Sequence, residues 1–464
     1  MQLARIAETL APSQVVGDAQ VEIADLAYDT RAVGPGALFF CVRGSRFDGH
    51  DLVERAIEAG AAALVVERPV ASRVPQLVVA DVRGAMATAA VEFFGHPTEE
   101  LQIAAVTGTN GKTTTTFLLH AILEQASRKP GLIGTIESRV GGERRPAVRT
   151  TPEAIDLQRS FREMLDAGDR SCAMEATSHG SALRRLEGVR FASLAFTNLT
   201  QDHLDLHGTM DDYFEAKRRL FLEARPPAAI NIGDPWGRRL AEDRPEALTY
   251  GFAEDAAIRP DALDGIDLKL KGRFNVENAL AAMASAQLLG IEADAIARGL
   301  EALDGVPGRF ETVDEGQPFT VVVDYAHTPD SLENVLATAR ELEAGRVICV
   351  FGCGGDRDRE KRPMMGRIAS DLADIAIVTS DNPRSEDPRA IIDEIVAGTD
   401  GELEIVPDRR EAIAQAIETA AAGDVVVIAG KGHEQGQEFR DRTVPFDDRE
   451  VAREALRRLG AAAP

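Results

Sequence analysis

The sequence predicts an α/β protein of several domains, and three observations lead to this fold class. The chain has 464 residues, which is too long for a single ordinary hydrophobic core. A glycine-rich turn at residues 107–116 stands between a strand-like run and a helical run, and after residue 320 such runs alternate four times. We therefore predict three domains, with a P-loop and a parallel-rich sheet in the central one and a Rossmann-like, doubly wound sheet in the C-terminal one.

The composition is typical of a globular protein. Hydrophobic residues make up 44% of the chain and charged residues 28%. The net charge of −24, from 52 basic and 76 acidic residues, argues against nucleic acid as a partner. No apolar stretch is long enough to span a membrane and the N-terminus has no signal-peptide pattern, so we expect a cytoplasmic protein. The four cysteines, which show no CxxC spacing and are predicted to be buried, reduced thiols, are Cys41, Cys172, Cys349 and Cys353.

Residues 1–95 form the first predicted domain. Its apolar runs, which read as strands, cover residues 37–42, 61–66 and 76–80. Helical stretches alternate with them, and the last of these covers residues 83–94. This alternation predicts a small α/β unit.

The second predicted domain, residues 96–308, opens with a phosphate-binding turn. Residues 107–116 read Thr-Gly-Thr-Asn-Gly-Lys-Thr-Thr-Thr-Thr. After a strand and before a helix, such a turn directs backbone N–H groups at an anion, while Lys112 supplies a positive charge and Thr113 offers a hydroxyl to Mg²⁺. Position 106 is Val where the standard pattern has Gly. The alternative is an ordinary turn with a surface lysine, but the flanking strand and helix favour a nucleoside triphosphate site.

The same domain repeats a strand-then-loop pattern in strand-like runs at residues 172–175, 191–198 and 228–231. Glu175 ends the first run and His203 follows the second, so we expect both at the sheet edge that carries Thr113. A hydroxyl, a carboxylate and an imidazole can bind Mg²⁺, or Mn²⁺ in its place. Spacing alone does not separate this role of His203 from that of a loop histidine with partners inside the protein.

Lys217 is the most informative single side chain. In the helical run 211–222 it shares a face with four apolar or aromatic residues, at offsets of three and four, namely Tyr213, Phe214, Leu220 and Phe221. Such a lysine either extends its amine to solvent or points inward, where burial favours the neutral amine. A neutral amine can react with CO₂ to form a carbamate, an anion that can bind a metal. Helix geometry alone leaves both alternatives open.

The third predicted domain, residues 309–464, shows the clearest pattern. Strand-like runs at 320–324, 347–351, 375–379 and 424–429 alternate with helical runs around 330–344, 364–373, 389–398 and 409–421. This alternation predicts a doubly wound parallel sheet. A polar cluster follows each strand, at residues 324–329, 352–357, 380–384 and 430–434. Ligands bind beyond the carboxyl ends of parallel strands, so we expect the clusters to converge on one crevice, the alternative being unrelated polar loops.

Seven segments in order along the chain resemble the Mur ligases of peptidoglycan synthesis. They are residues 107–116, 174–179, 197–205, 215–217, 272–278, 324–329 and 430–434. The resemblance implies a UDP-binding N-terminal domain, a central ATPase and a Rossmann-like C-terminal domain. It also implies a bacterial, monomeric, ATP-dependent amide ligase that adds the third stem-peptide residue to UDP-N-acetylmuramoyl-L-alanyl-D-glutamate. Asp381-Asn-Pro-Arg384 is similar to the signature associated with meso-diaminopimelate rather than lysine.

The resemblance also implies ATP-binding and metal-binding residues. The ATP-binding positions are Gly108, Thr109, Asn110, Gly111, Lys112, Thr113, Thr114, Asn275, Asn278, Asp324, Tyr325 and His327. The Mg²⁺ positions are Thr113, Glu175, His203 and Lys217, the last as N6-carboxylysine formed with CO₂ or bicarbonate. The implied catalytic residues are Lys112, Glu175, His203 and Lys217.

Two further sets of residues follow from the resemblance. The UDP-sugar positions are Thr30, Ser45, Arg46, Phe47, Thr150, Thr151, Thr177 and Arg185. The diaminopimelate positions are Arg357, Asp381, Asn382, Pro383, Arg384, Gly430 and Glu434. The chain departs from the family at Thr30 and Thr177, where Ser is common, and at Leu183, where some relatives have Gln. Residues 45–47 vary within the family.

Arg384 has a physical reason to select diaminopimelate. The substrate carries a distal carboxylate, which lysine lacks, and a guanidinium pairs with it bidentately. The alternatives are a lysine-adding Mur ligase or a folylpolyglutamate synthetase, against which residues 381–384 and the complete N-terminal unit argue. A P-loop kinase or regulatory NTPase is the alternative of another class. It would need neither Lys217 nor the clusters of the third sheet.

Overall fold

The computed structural model describes residues 1–44, 47–342 and 345–462. Its contacts divide the chain into two compact units. The first comprises Met1–Thr107, Ala126–Leu194 and Ala216–Ala228, and the second comprises Gly108–Gln125, Ala195–Glu215 and Ala229–Pro464. The predicted domain boundaries at residues 95/96 and 308/309 stay predictions.

The first sheet has five strands in the order β1–β5–β4–β3–β2. Its elements are α1 (Leu3–Leu10), β1 (Gln14–Val16), β2 (Asp25–Ala27), β3 (Ala37–Phe40), α2 (Val53–Glu58), β4 (Ala61–Val66), β5 (Gln76–Val78) and α3 (Val82–Phe93). Strands β2 to β5 are parallel and β1 is antiparallel. All four side chains of β3 are buried, as its continuous apolar run predicts. Helix α3 begins after Asp81, which accepts a hydrogen bond from Arg83 N.

The second sheet has eight strands in the order β13–β12–β11–β6–β10–β7–β8–β9. The strands are β6 (Gln102–Thr107), β7 (Pro130–Ile133), β8 (Glu137–Val140), β9 (Glu143–Pro146), β10 (Ser171–Glu175), β11 (Phe191–Phe196), β12 (Ala228–Asn231) and β13 (Leu248–Tyr250). The helices are α4 (Lys112–Gln125), α5 (Ala154–Ala167), α6 (Ser178–Ala182), α7 (Leu204–His207), α8 (Met210–Leu222), α9 (Pro235–Asp243), α10 (Arg273–Leu288) and α11 (Ala293–Ala302). Strand β10 is parallel to β6 and β7, and β8 and β9 are antiparallel additions. The predicted parallel-rich sheet is confirmed.

The third sheet has six strands in the order β14–β15–β19–β16–β17–β18. The elements of this region are β14 (Glu311–Thr312), β15 (Thr320–Asp324), α12 (Pro329–Leu342), β16 (Val347–Phe351), α13 (Lys361–Leu372), β17 (Ile375–Val378), α14 (Pro388–Val396), β18 (Glu404–Ile405), α15 (Arg409–Thr419), β19 (Val425–Ala429), β20 (Gly436–Glu438), β21 (Thr443–Pro445) and α16 (Asp448–Ala462). Strands β15 to β19 pair in parallel, and β20 and β21 form a separate hairpin.

Two hydrophobic cores cover the two faces of the third sheet. Val322 and Val427 belong to the core that contains helices α12, α13 and α14. Their neighbours Val323 and Val426 belong to the core that contains α15 and α16. This alternation follows from the period of two along a strand. The predicted doubly wound architecture is therefore confirmed.

The four cysteines are free and buried, as predicted. Burial raises the pKa of Cys41, Cys349 and Cys353 to about 12 and the pKa of Cys172 further. These thiols are therefore protonated at neutral pH and poorly nucleophilic. In the part of the chain that the structure describes, none of the helices has the length and apolar character needed to cross a bilayer.

Candidate active site

The glycine-rich turn between β6 and α4 packs so closely that its glycines have no room for a side chain. Gly108 has a φ of +150°, and a Cβ atom there would lie 1.9 Å from Thr197 Oγ1. Gly111 has a φ of +84°, and its Cβ would lie 2.2 Å from Asn278 Oδ1. Helix α4 begins at the next residue, Lys112. This is the geometry in which a turn and a helix N-terminus present N–H groups to an anion.

The loop after β11 holds this turn in place. Asn198 accepts hydrogen bonds from Thr109 N through its carbonyl and from Asn110 N through its Oδ1, both at 2.9 Å. Thr197 Oγ1 donates to Asn110 O at 2.7 Å. Thr109 Oγ1 also lies 3.1 Å from the hydroxyl of Tyr213. The turn is therefore organised by the protein itself, which lowers the cost of ordering it around a ligand.

The turn is also linked to the start of helix α12. Asn110 Nδ2 donates a hydrogen bond of 2.6 Å to Asp330 Oδ2. Burial raises the pKa of Asp330, and the bond from Asn110 partly offsets this. One residue of the turn thus contacts a helix that follows a strand of the third sheet.

Lys112 and Thr113 lie at the start of helix α4. Lys112 Nζ donates to the carbonyls of Gly108 and Thr109 at 3.0 and 2.8 Å, so the ammonium lies over the turn. Thr113 is buried, and its Oγ1 accepts a hydrogen bond of 3.0 Å from Arg309 Nη2. A second cation therefore stands beside the turn.

Asn275 and Asn278, predicted near the adenine, are buried on helix α10. Asn278 Nδ2 donates to Asn275 Oδ1 at 3.1 Å, and Asn275 Nδ2 donates to Lys271 O at 2.7 Å. Thr115 Oγ1 on α4 donates to Asn278 Oδ1 at 3.4 Å. The structure therefore brings both asparagines to the start of α4, and their contact with the base stays a prediction.

Asp324 and Tyr325 lie at the end of strand β15. The Asp324 carboxylate accepts hydrogen bonds from Phe310 N at 2.6 Å and Ala326 N at 2.7 Å, so it organises the protein backbone. Burial raises the pKa of Asp324. The Tyr325 ring lies 4.5 Å beneath the Arg309 guanidinium. Tyr325 therefore holds the arginine that contacts Thr113.

His327 is a neutral histidine of defined tautomer. Its Nδ1 lies 2.7 Å from Tyr325 O, and because a carbonyl only accepts, Nδ1 carries the proton and Nε2 is an acceptor. Burial and the nearby Lys361 lower the pKa of His327 to about 4. Burial raises the pKa of Asp202, but the positive charges of neighbouring groups, among them Lys361 and Lys112, outweigh this and bring it to about 2. A neutral imidazole and a carboxylate therefore coexist here at neutral pH.

The pKa of His327 predicts a loss of stability in acid. The unfolded chain binds a proton at this side chain near pH 6.5 and the folded chain only near pH 4, so lowering the pH across this window favours unfolding. We expect the difference in urea midpoint between pH 8 and pH 5 to shrink in His327→Gln. His96→Gln, which alters an exposed histidine, is the control. An unchanged pH dependence in His327→Gln would contradict the assignment.

Glu175 ends strand β10 in the first compact unit and is buried. Its Oε1 accepts from Thr135 N at 2.7 Å, and its Oε2 accepts from Thr135 Oγ1 at 3.0 Å. The Thr135 hydroxyl also lies 3.1 Å from the hydroxyl of Thr150. The predicted metal ligand thus lies beside a predicted UDP-sugar residue.

Two other predicted sugar-nucleotide residues, Thr177 and Arg185, contact Thr151. Its Oγ1 donates to Glu175 O at 2.9 Å and accepts from Thr177 Oγ1 at 3.0 Å. Arg185 Nη1 donates to Thr151 O at 3.0 Å, and Arg185 forms an ion pair of 2.9 Å with the buried Glu153. The structure brings these side chains together, while their substrate contacts stay predictions.

Lys217 points inward from helix α8. Its exposure is 1%, so its amine does not extend to solvent. Tyr213, Phe214 and Phe221 on the same face are also buried, as the helical spacing predicts. Of the two alternatives that the helical spacing leaves open, the structure shows the inward one, and the carbamate remains a proposal.

Four predicted residues lie in the N-terminal region. Ser45 and Arg46 fall outside the described residues. Phe47 is 71% exposed, so its flat apolar ring is accessible for stacking, and Thr30 is buried in the turn after β2. Their contacts with uridine stay predictions.

The polar clusters after β15, β16, β17 and β19 meet at one edge of the third sheet. Gly355 N donates to Asn382 O at 2.9 Å, which joins the second cluster to the third. Asn382 Nδ2 donates to Glu434 Oε2 at 2.8 Å, and the rings of Tyr325 and His433 lie 5.2 Å apart. The predicted convergence on one crevice is confirmed.

A buried lysine organises this crevice. Lys431 Nζ donates to Asn382 Oδ1 at 2.9 Å and to Glu434 Oε2 at 3.0 Å. An ammonium has only donors, so it determines which way the Asn382 amide points. Lys431 therefore positions two of the predicted diaminopimelate residues.

Arg384 adopts a backbone conformation that is rare for a residue with a side chain, with a φ of +51°. Such a conformation costs on the order of 1 kcal/mol and persists only where neighbours impose it. Arg384 N donates to Glu438 O at 3.0 Å. Its guanidinium donates through Nε to Glu438 Oε2 at 2.9 Å and through Nη1 to Gly355 O at 2.8 Å. The side chain is thus held at the rim of the crevice.

Asp381 presents an acceptor beside Gly430. Among the described residues, its buried Oδ2 atom has no hydrogen-bond partner. A Cβ on Gly430, which has a φ of +121°, would lie 2.6 Å from this oxygen. Beneath Gly430, the fully buried Arg409 pairs with Asp448 at 2.7 Å. An unpaired buried carboxylate oxygen is costly, and a substrate amine would satisfy it.

Arg357 and Pro383 complete the predicted crevice. Arg357 Nη1 donates to Asp356 O at 2.9 Å, so its guanidinium stays at the surface near the second cluster. Pro383 O packs against Gly355, because a Cβ atom added to Gly355 would lie 2.0 Å from this oxygen. These contacts fix the two loops that carry Arg357 and Arg384.

Three family models match successive parts of the chain: the Mur ligase family catalytic domain over residues 22–96, the Mur ligase middle domain over 106–286, and the Mur ligase glutamate ligase domain over 308–432. A UDP-N-acetylmuramoyl-L-alanyl-D-glutamate–2,6-diaminopimelate ligase of Geobacillus thermodenitrificans is 47% identical, over 94% of this chain and 95% of the relative. The chain belongs to the Mur ligase family.

Two further comparisons agree with this family. A protein of the same name from Geobacillus kaustophilus is 46% identical over 95% of this Mur ligase and 96% of the relative. A solved structure of a UDP-N-acetylmuramoyl-L-alanyl-D-glutamate–2,6-diaminopimelate ligase has a TM-score of 0.67 and 32% identity, and the match covers 99% of both chains.

Of the predicted metal ligands of this Mur ligase, Thr113 and His203 lie in one compact unit, and Glu175 and Lys217 lie in the other. Their joint role stays a prediction. Within the described ranges, no group of three or more His, Cys, Asp or Glu side chains is arranged to hold a metal ion. The predicted ligand set is of a different kind, because two of its four members are the hydroxyl of Thr113 and a modified Lys217.

Three cations of this Mur ligase were not predicted as site residues from the sequence: Arg309, Lys361 and Lys431. Each lies within or next to a segment that the sequence analysis had assigned to the site or to a domain boundary. Arg309 follows Gly308 at the predicted domain boundary, Lys361 follows the cluster after β16, and Lys431 lies within residues 430–434. Lys361 and Lys431 are recognised as candidate site residues because their side chains are buried, and the sequence alone does not show this burial.

Proposed function

We propose that this Mur ligase joins meso-2,6-diaminopimelate to the D-Glu residue of UDP-N-acetylmuramoyl-L-alanyl-D-glutamate in the bacterial cytoplasm, with ATP as the energy source. The observation that carries the proposal is the identity of 42–47% over nearly the whole chain to relatives named for this reaction. These names favour diaminopimelate over the lysine-adding and folylpolyglutamate alternatives. The position of Arg384 at the crevice supports the same substrate.

In the first step, the γ-carboxylate of D-Glu attacks the γ-phosphorus of ATP, which releases ADP and leaves an acyl phosphate. Negative charge concentrates on the transferring group, and the N–H groups of the turn at residues 107–111 and the Lys112 ammonium are placed to neutralise it. The glycine turn fits a polyphosphate because any Cβ at Gly108 or Gly111 would fill it.

In the second step, a neutral amine of diaminopimelate attacks the acyl carbon. The tetrahedral intermediate collapses to the amide and expels inorganic phosphate, and the amine loses a proton. The Oδ1 atoms of Asp381 and Asn382 accept hydrogen bonds from within the protein, whereas Asp381 Oδ2 is placed to accept one from a substrate amine. In this proposal, the guanidinium of Arg384 binds the distal carboxylate.

Bound Mg²⁺ would neutralise charge on the phosphates and align them. Thr113, Glu175, His203 and Lys217 are the residues proposed to hold it. A lysine ammonium repels a cation, whereas its carbamate supplies anionic oxygen, the ligand that Mg²⁺ prefers. The burial of Lys217 supports this role, because a side chain with 1% exposure points into the protein, where a metal ligand would lie.

Phosphate release by the purified protein tests the function. The protein is assayed with ATP and UDP-N-acetylmuramoyl-L-alanyl-D-glutamate, together with meso-diaminopimelate, L-lysine or no amino acid. We expect release only with diaminopimelate, with a tripeptide product. Release with lysine would support the ligase activity but refute the specificity for diaminopimelate. Release without any amino acid would favour the NTPase alternative.

Arg384→Ala is expected to raise the KM for diaminopimelate by about 10²-fold, since it removes the charged donor that the proposal assigns to the distal carboxylate. The KM for ATP should stay within about twofold, because Arg384 has no contact with the glycine-rich turn. Arg389→Ala removes an exposed arginine of the same region and is the control. Equal increases in both KM values would indicate a general disturbance of the domain.

A further inference from the structure

Lys361 is a buried cation that the predicted site does not include. It is the first residue of helix α13, and its exposure is 4%. Within the described chain, its ammonium has no hydrogen-bond acceptor and no carboxylate at ion-pair distance. The next residue, the fully buried Arg362, forms ion pairs with Glu386 and Glu394 at 2.8 and 2.7 Å. A buried charge without a partner is costly, so the position of Lys361 points to an anion that binds there.

The loop after β11 connects the start of helix α13 with the phosphate-binding turn. Thr200 N donates a hydrogen bond of 3.0 Å to Thr109 Oγ1 in the turn. The next residue, Gln201, donates through Nε2 to Asp358 Oδ2 at 3.2 Å, and Asp358 lies three positions before Lys361. Two successive residues of one loop thus contact the turn and the segment that leads into α13.

The third residue of this loop, Asp202, places two lysines near each other. Burial raises the pKa of its carboxyl group, whereas the charges of Lys361 and Lys112 lower it. Coulomb interactions weaken with distance, so both ammonium groups lie close to this one carboxylate. Lys112 lies over the phosphate-binding turn through its bonds to two carbonyls of that turn. Lys361 is therefore a second ammonium in the neighbourhood of the turn.

We propose that Lys361 binds the transferred phosphoryl group, first in the acyl phosphate and then as the departing phosphate. The inference rests on the proposed function and adds a catalytic residue to its second step. When the tetrahedral intermediate collapses, the bond between the acyl carbon and the phosphate oxygen breaks, and its electron pair stays on that oxygen. The Lys361 ammonium donates a hydrogen bond to the departing group and keeps its proton, so it stabilises the charge that develops there.

A carboxylate of the incoming amino acid offers the same oxyanion chemistry. The phosphoryl group is favoured, because Lys361 and the lysine of the turn, Lys112, act on the same carboxylate. Lys431, another buried lysine of the third sheet, differs from Lys361 because it donates hydrogen bonds to two predicted diaminopimelate residues. The two buried lysines therefore have different expected roles, which makes Lys431 the contrast in the test.

The test compares Lys361→Met with Lys431→Met in two assays, phosphate release during turnover and inhibition of turnover by added inorganic phosphate. In Lys361→Met, kcat is expected to fall by about 10²-fold, the scale of removing one preorganised donor from a developing charge. The inhibition constant for phosphate should rise about tenfold, the cost of one charged hydrogen bond, while the KM for diaminopimelate should stay within about twofold. Lys361→Arg keeps the charge and should restore part of both losses. Lys431→Met should raise the KM for diaminopimelate and leave phosphate inhibition unchanged.

Lys361→Met should not be less stable than the wild type. Methionine keeps the unbranched volume, and no ion-pair partner is left behind, so its melting temperature should be at least that of the wild type. A raised KM for diaminopimelate with unchanged phosphate inhibition would overturn the proposal, because the bound anion would then be a carboxylate of the amino acid. A wild-type kcat in Lys361→Met would overturn it as well. Wild-type protein that releases no phosphate with diaminopimelate would refute the proposed function instead.

Discussion

Lys112→Ala is expected to lower kcat/KM for ATP by about 10³-fold, the scale of removing one preorganised charge from a transition state. The ammonium lies over the turn through bonds to Gly108 O and Thr109 O. Its removal takes away one of the positive charges beside the turn that would neutralise the developing charge of the transferring phosphoryl group. Phosphate release at saturating dipeptide and amino acid measures the effect.

The control for this variant is Lys269→Ala, which removes an exposed lysine paired with Asp304. Its activity should match the wild type. Because the turn is held by Asn198 and Thr197, Lys112→Ala should keep its fold and bind ATP with at most about a tenfold loss. Near-normal turnover in Lys112→Ala would show that the turn does not serve phosphoryl transfer.

Lys217→Met is expected to lower kcat by about 10³-fold, since it removes a proposed metal ligand that contributes several kcal/mol. Methionine keeps the buried, unbranched volume on helix α8, so the fold should survive. ATP binding should also survive, because the turn lies elsewhere on the chain. Phosphate release and nucleotide binding, measured side by side, separate the two effects.

The carbamate itself has an independent signature. Wild-type protein in ¹³C-bicarbonate should show a carbamate carbonyl resonance that Lys217→Met lacks, and depletion of CO₂ should reduce wild-type activity reversibly. Lys129→Met is the control for a lysine outside the proposed site. Full activity of Lys217→Met, or an identical spectrum, would exclude the modification as a catalytic requirement.

The strands of the third sheet were predictable because local and tertiary signals agree. The runs 320–324 and 347–351 match β15 and β16 residue for residue, since the apolar residues of each run are consecutive and buried on both faces. Helix α13 was predicted from residue 364 but begins at Lys361. Its first turn contains Arg362, which is fully buried in ion pairs with Glu386 and Glu394. Because these partners are far from Arg362 in the sequence, no local sequence pattern predicts that the helix begins at Lys361.

The site was predictable where a motif presents its chemistry directly, as at Lys112 and in residues 381–384. The helical face of Lys217 is otherwise apolar, but this left both a solvent-facing and an inward amine open, and only the structure shows that the side chain is buried. The roles of Arg309 and Glu438 were not predictable, because they depend on which residues the two side chains contact. Arg309 contacts Thr113, which is 196 positions away along the chain, and Glu438 contacts Arg384, which is 54 positions away.

The hydrogen bond between Asn110 and Asp330 has a thermodynamic consequence for how the affinities of two ligands are coupled. Asn110 belongs to the phosphate turn, and Asp330 opens the helix that follows the cluster at residues 324–329. A nucleotide that shifts Asn110 therefore shifts the free energy of that cluster, and an occupant of the cluster acts back on the turn. Linkage requires the two effects to be equal, so the factor by which ATP tightens the second ligand is the factor by which that ligand tightens ATP.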